Sequence, residues 1–228
     1  MKLLAVETAT DACSAALLVE GGILERFQIA PREHTQLILP MVESLLAEAE
    51  FGLQDLDALA FGRGPGSFTG LRIAAGITQG LALGANLPVV PVSTLAAMAQ
   101  HFLQDSGCST FYTALDARMG EVYWGVYQKD AAGFVRLLGT EAVLAAADIE
   151  TSAAGDEKCA GIGSGWAAYG NILNERLNGC VKTIEPNCHP HAASVAILGR
   201  DGFRTHAVSA EYALPVYLRN KVAKKKGE

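Results

Sequence analysis

Residues able to bind or transform a ligand are concentrated at a few places in this chain. The most constrained is Gly62-Arg63-Gly64-Pro65-Gly66-Ser67-Phe68-Thr69-Gly70. Glycines let backbone N–H groups crowd an anion where a helix begins, so this loop invites a phosphate. A Walker A loop needs Gly-Lys-Ser/Thr after four spacers, yet no lysine lies between Lys2 and Lys129. Ser67-Phe68-Thr69 breaks the dinucleotide pattern as well, and Arg63 and Arg72 are the nearby cations of any simpler anion site. Ser67 lacks the Gly-x-Ser-x-Gly flanks of a nucleophile elbow. Of His34, His101, His189, His191 and His206, the third and fourth sit in Cys188-His189-Pro190-His191, with no HExxH spacing anywhere. The intervening proline makes convergence of both imidazoles on a metal awkward, which favours a structural role. Asp116 and Glu121 flank a turn and resemble a carboxylate pair, but turn acids are ordinarily solvated. No catalytic set emerges.

These residues need elements to hold them. Residues 58–84 read as a short buried strand from Ala58 to Phe61, the glycine loop, and a helix beginning at Ser67 or Phe68 with Ser67 as N-cap. Inside that helix Gly76, Gly80 and Gly84 recur every four residues on one face, and each costs about 1 kcal/mol against alanine. Something must approach that face closely, either the chain's own sheet or a second helix. Upstream, strands are expected at 2–7, 13–19 and 23–29, with a tight Glu20-Gly21-Gly22 turn between the last two. A helix follows from Thr35 to Glu50, whose apolar residues recur at three- and four-residue spacing. A strand over 88–92 precedes a helix capped by Ser93 and running to Leu103. The order β-β-β-α-β-α-β-α predicts a mixed five-stranded sheet with helices on its faces, the ribonuclease-H-like or actin-like half-fold.

The second half predicts a hairpin of Phe111–Leu115 with Val122–Tyr127, a further strand at Val135–Leu138, and a surface loop at 151–158. A glycine-rich turn at 161–165 precedes a helix over 167–177, and another helix runs from Pro190 to Arg200. The break between halves falls at 104–107, giving an N-terminal lobe of residues 1–104 and a second, smaller or degenerate lobe of 105–228.

With 50% hydrophobic and 18% charged residues, 228 residues suffice for a sizeable core. Five widely spaced cysteines form no disulfide framework, and no run approaches 18 apolar residues, so a reducing cytoplasm without signal peptide or membrane span is expected. A net charge of −6 argues against a self-sufficient nucleic-acid binder. Residues 219–228 carry +4 and leave −10 on the rest. That tail is either a solvated end or an aid in holding a phosphate backbone that a partner binds primarily.

Several segments together carry a resemblance: LLAVETATDACSAAL at 3–17, HTQLILPMVESLLAEA at 34–49, and the whole of 56–100. LDARMGEVYWGVYQ at 115–128 and ALPVYLRN at 213–220 belong with them. The chain resembles the TsaB (YeaZ) family of bacterial threonylcarbamoyladenosine biosynthesis subunits. The resemblance implies an actin-like (ASKHA) two-lobed fold. It also implies a non-catalytic role in forming N6-threonylcarbamoyladenosine at position 37 of tRNAs that read codons beginning with A. Implied partners are the catalytic paralogue TsaD, the ATPase TsaE, tRNA indirectly through the complex, and a second copy when the paralogue is absent.

The same resemblance places the partner face on the two helices. Leu37, Ile38, Met41 and Leu45 would contribute from the first, and Leu71, Ile73, Gly76, Ile77, Gly80 and Gly84 from the second. Actin-like kinases and ATPases place Gly-Thr beside an acid in their first turn. Here Glu7-Thr8-Ala9-Thr10 has Ala9 where the glycine would help, so Glu7, Thr8 and Thr10 are at most a degenerate nucleotide site. The paralogue's metal-holding His-x-x-x-His falls on Thr94 and Met98, neither a replacement for imidazole. No cofactor, metal or catalytic residue is implied, with ATP or ADP considered only at the complex interface. A stand-alone glycoprotease-like peptidase or actin-like ATPase is the alternative reading.

Overall fold

The computed structural model describes residues 1–20, 22–150 and 158–219. Gly21 of the first hairpin, 151–157 of the expected surface loop, and 220–228 of the basic tail therefore lie outside the described residues.

β1 (Leu3–Glu7), β2 (Ala12–Val19) and β3 (Gly22–Ile29) form an antiparallel meander. β4 (Ala58–Gly64) adds parallel to β1 and β5 (Val89–Ser93) parallel to β4, giving the order β3-β2-β1-β4-β5. Side chains alternate across β1, as the period of two requires. Leu4 and Val6 face α1 (His34–Glu48) and α2 (Phe68–Ala85), where Ile38, Val42, Leu45, Ala74 and Ala82 fill the core. Leu3 and Ala5 face the other way, against Ala192, Val195 and Ala196.

The second sheet repeats this plan. β6 (Thr110–Arg118), β7 (Glu121–Lys129) and β8 (Val135–Ala145) are an antiparallel meander, and β9 (Cys159–Ile162) and β10 (Thr183–Glu185) add in parallel. The order β10-β9-β6-β7-β8 corresponds strand for strand to the first sheet. α3 (Thr94–Ser106) packs on one face through Leu95, Met98 and Leu103, and α4 (Ser164–Arg176) on the other through Trp166 and Leu173. α5 (Ala192–His206) returns to the first sheet, so Gly199 comes close enough that a Cβ there would stand 2.8 Å from that of Ala60.

The mixed α/β fold of two five-stranded sheets agrees with the expected class, and several boundaries differ for physical reasons. β4 runs three residues past Phe61 because its edge pairs with β5 as far as Gly64. β8 runs to Ala145 because β7 offers it a full-length partner. β9 runs into the stretch that reads as a glycine-rich turn and β10 falls where no element is expected, and each is held by a parallel neighbour distant in sequence. α5 starts two residues after Pro190 and extends to His206, since its inner face has the first sheet to pack against. Both serine caps are as expected: Ser67 Oγ accepts from Gly70 N at 3.4 Å and Ser93 Oγ from Ala96 N at 3.2 Å.

Candidate functional site

The glycine loop and the β1–β2 turn close on each other. The Ser67 amide donates to the Ala9 carbonyl at 2.7 Å, and the Thr8 hydroxyl to the Gly70 carbonyl at 2.7 Å. A Cβ at Gly66 would stand 2.5 Å from the Ala9 oxygen, and one at Gly70 only 1.9 Å from the Thr8 oxygen. The glycines therefore admit the chain's own backbone at the place where a phosphate was considered.

Glu7 is fully buried under this contact. Its Oε1 accepts from the Ala9 amide at 2.6 Å and its Oε2 from the Thr94 hydroxyl at 3.3 Å. Gly62 is a glycine because a Cβ there would meet Glu7 Oε2 at 1.9 Å. Burial pushes the carboxyl up to about 7, against the lowering effect of the Ala9 and Thr94 hydrogen bonds. Of the three residues expected in a degenerate nucleotide site, Glu7 and Thr8 are thus buried and bonded internally. This corrects any reading of them as open ligand contacts. Thr10 accepts from the Ala12 amide at 3.2 Å and reaches a cleft of about 650 Å³. Ser67, Asp116, Arg118, Ser164 and His189 also line that cleft.

Other candidates resolve in the same way. Asp116 Oδ1 accepts from the Arg118 amide at 2.8 Å, which shapes the β6–β7 turn, and Glu121 pairs with Arg219. These two acids are structurally engaged, where solvated turn acids were expected. Thr94 and Met98, the positions matched to the paralogue's metal ligands, are both completely buried. Thr94 serves Glu7, and Met98 fills the core between α3 and the second sheet. His191 Nδ1 lies 3.0 Å from Glu25 Oε2, and its ring stacks between Phe27 and His101. Burial lowers the His189 pKa and pushes the Cys188 thiol up to about 12. Among the described residues no group of three histidine, cysteine or acidic side chains is arranged to hold a metal ion.

The α1–α2 face has a different character. Ile38, Leu45 and Leu71 belong to the chain's own core and are at most 1% exposed, which removes them from any outward-facing set. Leu37, Met41, Ile73 and Ile77 are half-buried at the edge of that core. Gly76, Gly80 and Gly84 are exposed, and a Cβ on any of them would meet nothing within 4 Å. They do not serve packing on the sheet. Sequence reading passed over Leu83, which is 67% exposed beside them, and over the neighbouring apolar surface of Phe68 and Tyr217. Phe68 was legible in principle, since 68, 72, 76, 80 and 84 form one ridge of the helix. Tyr217 was not, because its place depends on the return of the C-terminal segment, where the Val216 amide donates to Arg63 O at 2.8 Å.

Two sheets of identical strand order, each an antiparallel meander extended by two parallel strands, define an actin-like protein with a closed first turn. Comparison with known proteins narrows this. The family model described as TsaD, tRNA N6-adenosine threonylcarbamoyltransferase, matches residues 20–226. The tRNA threonylcarbamoyladenosine biosynthesis protein TsaB of Escherichia coli is 45% identical over 228 residues, covering 99% of this chain and 98% of that protein. Its Haemophilus influenzae namesake is 40% identical, covering 99% and 97%. Among solved structures, YeaZ from Pseudomonas aeruginosa superposes with a TM-score of 0.88 at 44% identity, covering 95% of this chain and 99% of that one. The chain belongs to the TsaB (YeaZ) family within the wider TsaD family. Among the described residues no helix is long and apolar enough to cross a membrane.

Proposed function

We propose that this chain is a non-catalytic scaffold subunit in the formation of N6-threonylcarbamoyladenosine at position 37 of tRNA. It pairs through α1 and α2 with a TsaD-type catalytic paralogue and supports recruitment of a TsaE-type ATPase. The observation that carries this reading is the open face at Gly76, Gly80 and Gly84, where a helix can come to backbone contact. Of the positions weighed for phosphate or metal chemistry, Glu7, Thr94 and Met98 are all completely buried. The names of the E. coli and H. influenzae relatives, with near-complete coverage, support the pathway.

The test is reconstitution from a TsaD-type enzyme, a TsaE-type ATPase, the enzyme making threonylcarbamoyl-AMP, and tRNA, with and without this chain. Omitting the chain lowers adenosine 37 modification at least about tenfold, a loss of some 1.4 kcal/mol or more of support. Adding Gly80→Leu in its place restores little, while the free variant unfolds no lower than wild type, because its side chain enters open space and helix propensity improves. Modification that proceeds equally well without the chain would overturn the scaffold role.

A further inference from the structure

Arg63 stands between Gly62 and Gly64 on β4 and reaches in two directions. Its Nη2 lies 3.7 Å from Oε2 of Glu141 on β8, across from one sheet to the other. The Glu141 side chain is only 7% exposed, and its Oε1 accepts from the hydroxyls of Ser93 and Tyr127. Ser93 ends β5 of the first sheet, whereas Tyr127 and Glu141 belong to β7 and β8 of the second. Burial and the Glu141 carboxylate hold the Tyr127 pKa well above the usual phenol value, so its hydroxyl stays a donor. Separating the sheets takes Ser93 and Arg63 from a nearly enclosed carboxylate. That costs more than parting an exposed ion pair.

The Arg63 carbonyl faces the other way and accepts from the Val216 amide at 2.8 Å. Val216 lies in the irregular segment 213–219, which makes a second crossing between the sheets. On α2, Gln79 Nε2 donates to the Ala213 carbonyl at 3.2 Å and Arg72 Nε to the Tyr217 hydroxyl at 3.2 Å. At the far end the Arg219 guanidinium donates to Glu121, the first residue of β7. Gly64 leaves room for this course, since a Cβ there would stand 2.9 Å from the Val216 oxygen. Residues 213–219 are thus pinned to α2, to β4 and to the second sheet.

We propose that Arg63 and the strap of residues 213–219 together lock the two sheets at one relative setting and hold the cleft between them at a fixed width. That cleft is lined by Thr10, Asp11 and Ser67 on the first-sheet side and by Asp116, Arg118 and Ser164 on the other. Bodies joined by small polar contacts ordinarily move against each other. Here the attachments are directional, and they are spread. In the β7–β8 ladder Glu121 pairs with Ala145 and Trp124 with Ala142. Glu121 and Glu141 therefore sit about four residues, or roughly 13 Å, apart along the strands. Two attachments at that separation resist rotation as well as opening, and Arg63 takes part in both. The lock is a property of the isolated chain and holds whether or not the scaffold reading does. A chain of fixed shape also loses less freedom when it binds.

The test puts spin labels at Asp11 and at Met119, beside Arg118 across the cleft, using genetically encoded residues that spare the five cysteines. Double electron–electron resonance on the full chain gives one narrow distance distribution. Arg63→Met and Arg219→Glu each raise the population at other distances about tenfold. Combining Arg219→Glu with Glu121→Arg restores the narrow distribution, which a general loss of stability would not do. Far-UV circular dichroism checks that each variant is folded. If Arg63→Met is not, Glu141→Gln takes its place, since it keeps an acceptor for both hydroxyls and drops only the charge. A broad or two-peaked distribution in the wild type overturns the lock. So does a wild-type distribution in either single variant, or a swapped pair that stays broad.

Discussion

Gly62, Gly66 and Gly70 lie a few residues before Gly76, Gly80 and Gly84, and the two sets answer opposite needs. In the first, the place of each missing Cβ is already taken, by the Glu7 carboxylate or by the backbone oxygens of Ala9 and Thr8. In the second, nothing of the chain lies within 4 Å. The first set allows the β1–β2 turn to close on the loop. The second leaves a helix bare on its outer ridge, a state that isolated helices disfavour by about 1 kcal/mol for each glycine. A run of glycine thus carries two messages that composition cannot separate: close approach within the chain, and close approach by something else.

The most severe way to break this contrast is a methyl group on the closed side. Gly70→Ala places a Cβ 1.9 Å from the Thr8 oxygen, a backbone atom that cannot move alone. We expect a loss of about 3 kcal/mol or more and a fall in Tm on the order of 10 °C. A wild-type Tm would mean that the turn and loop are not in contact.

The second test concerns the acid beneath that contact. Burial raises Glu7 from 4.5 to about 7, so the folded chain holds a proton that the unfolded chain releases. Stability is full below about pH 4.5 and declines as pH rises through 7, the reverse of an ion-paired carboxylate. Glu7→Gln can accept from the Ala9 amide and donate to the Thr94 hydroxyl without this decline. Relative to wild type, its stability should rise by on the order of 3 kcal/mol between pH 4.5 and pH 8. Denaturant unfolding across that range measures it, and a constant difference between the two proteins would refute a buried, proton-linked Glu7.

The mildest change is on the open side. Gly80→Ala should raise the stability of the free chain by about 1 kcal/mol, opposite in sign to Gly70→Ala, because its methyl meets nothing and helix propensity improves. Partner binding should weaken in the same variant, as the added methyl holds the second backbone away. Stabilisation with unchanged binding would separate the glycine ridge from the interface.

Much of the frame was legible because its signals are local. The hydroxyls of Ser67 and Ser93 reach amides three residues on, and the apolar spacing of α1 needs only its own turns. β9 and β10 were not legible, being short strands whose hydrogen bonds go to segments distant in sequence. Three residues assigned to the partner face, Ile38, Leu45 and Leu71, failed for a related reason. An apolar stripe on a helix has a core side and an outer edge, and periodicity does not say where the sheet ends.

By itself the sequence determined the order of elements, the absence of a Walker A loop, the capped start of α2 and the four-residue ridge from Phe68 to Gly84. These depend on neighbours within a few turns of chain. Only the tertiary structure decided that the loop glycines are filled, that Glu7 is sealed beneath them, and that the ridge glycines stand open beside an arginine steadied by Tyr217. Those outcomes depend on which distant segments meet: Glu7 with Thr94, Thr8 with Gly70, and Arg72 with Tyr217 across 145 positions of the chain. The same residue type met backbone in one place and empty space in the other because the fold brought a partner to the first and none to the second.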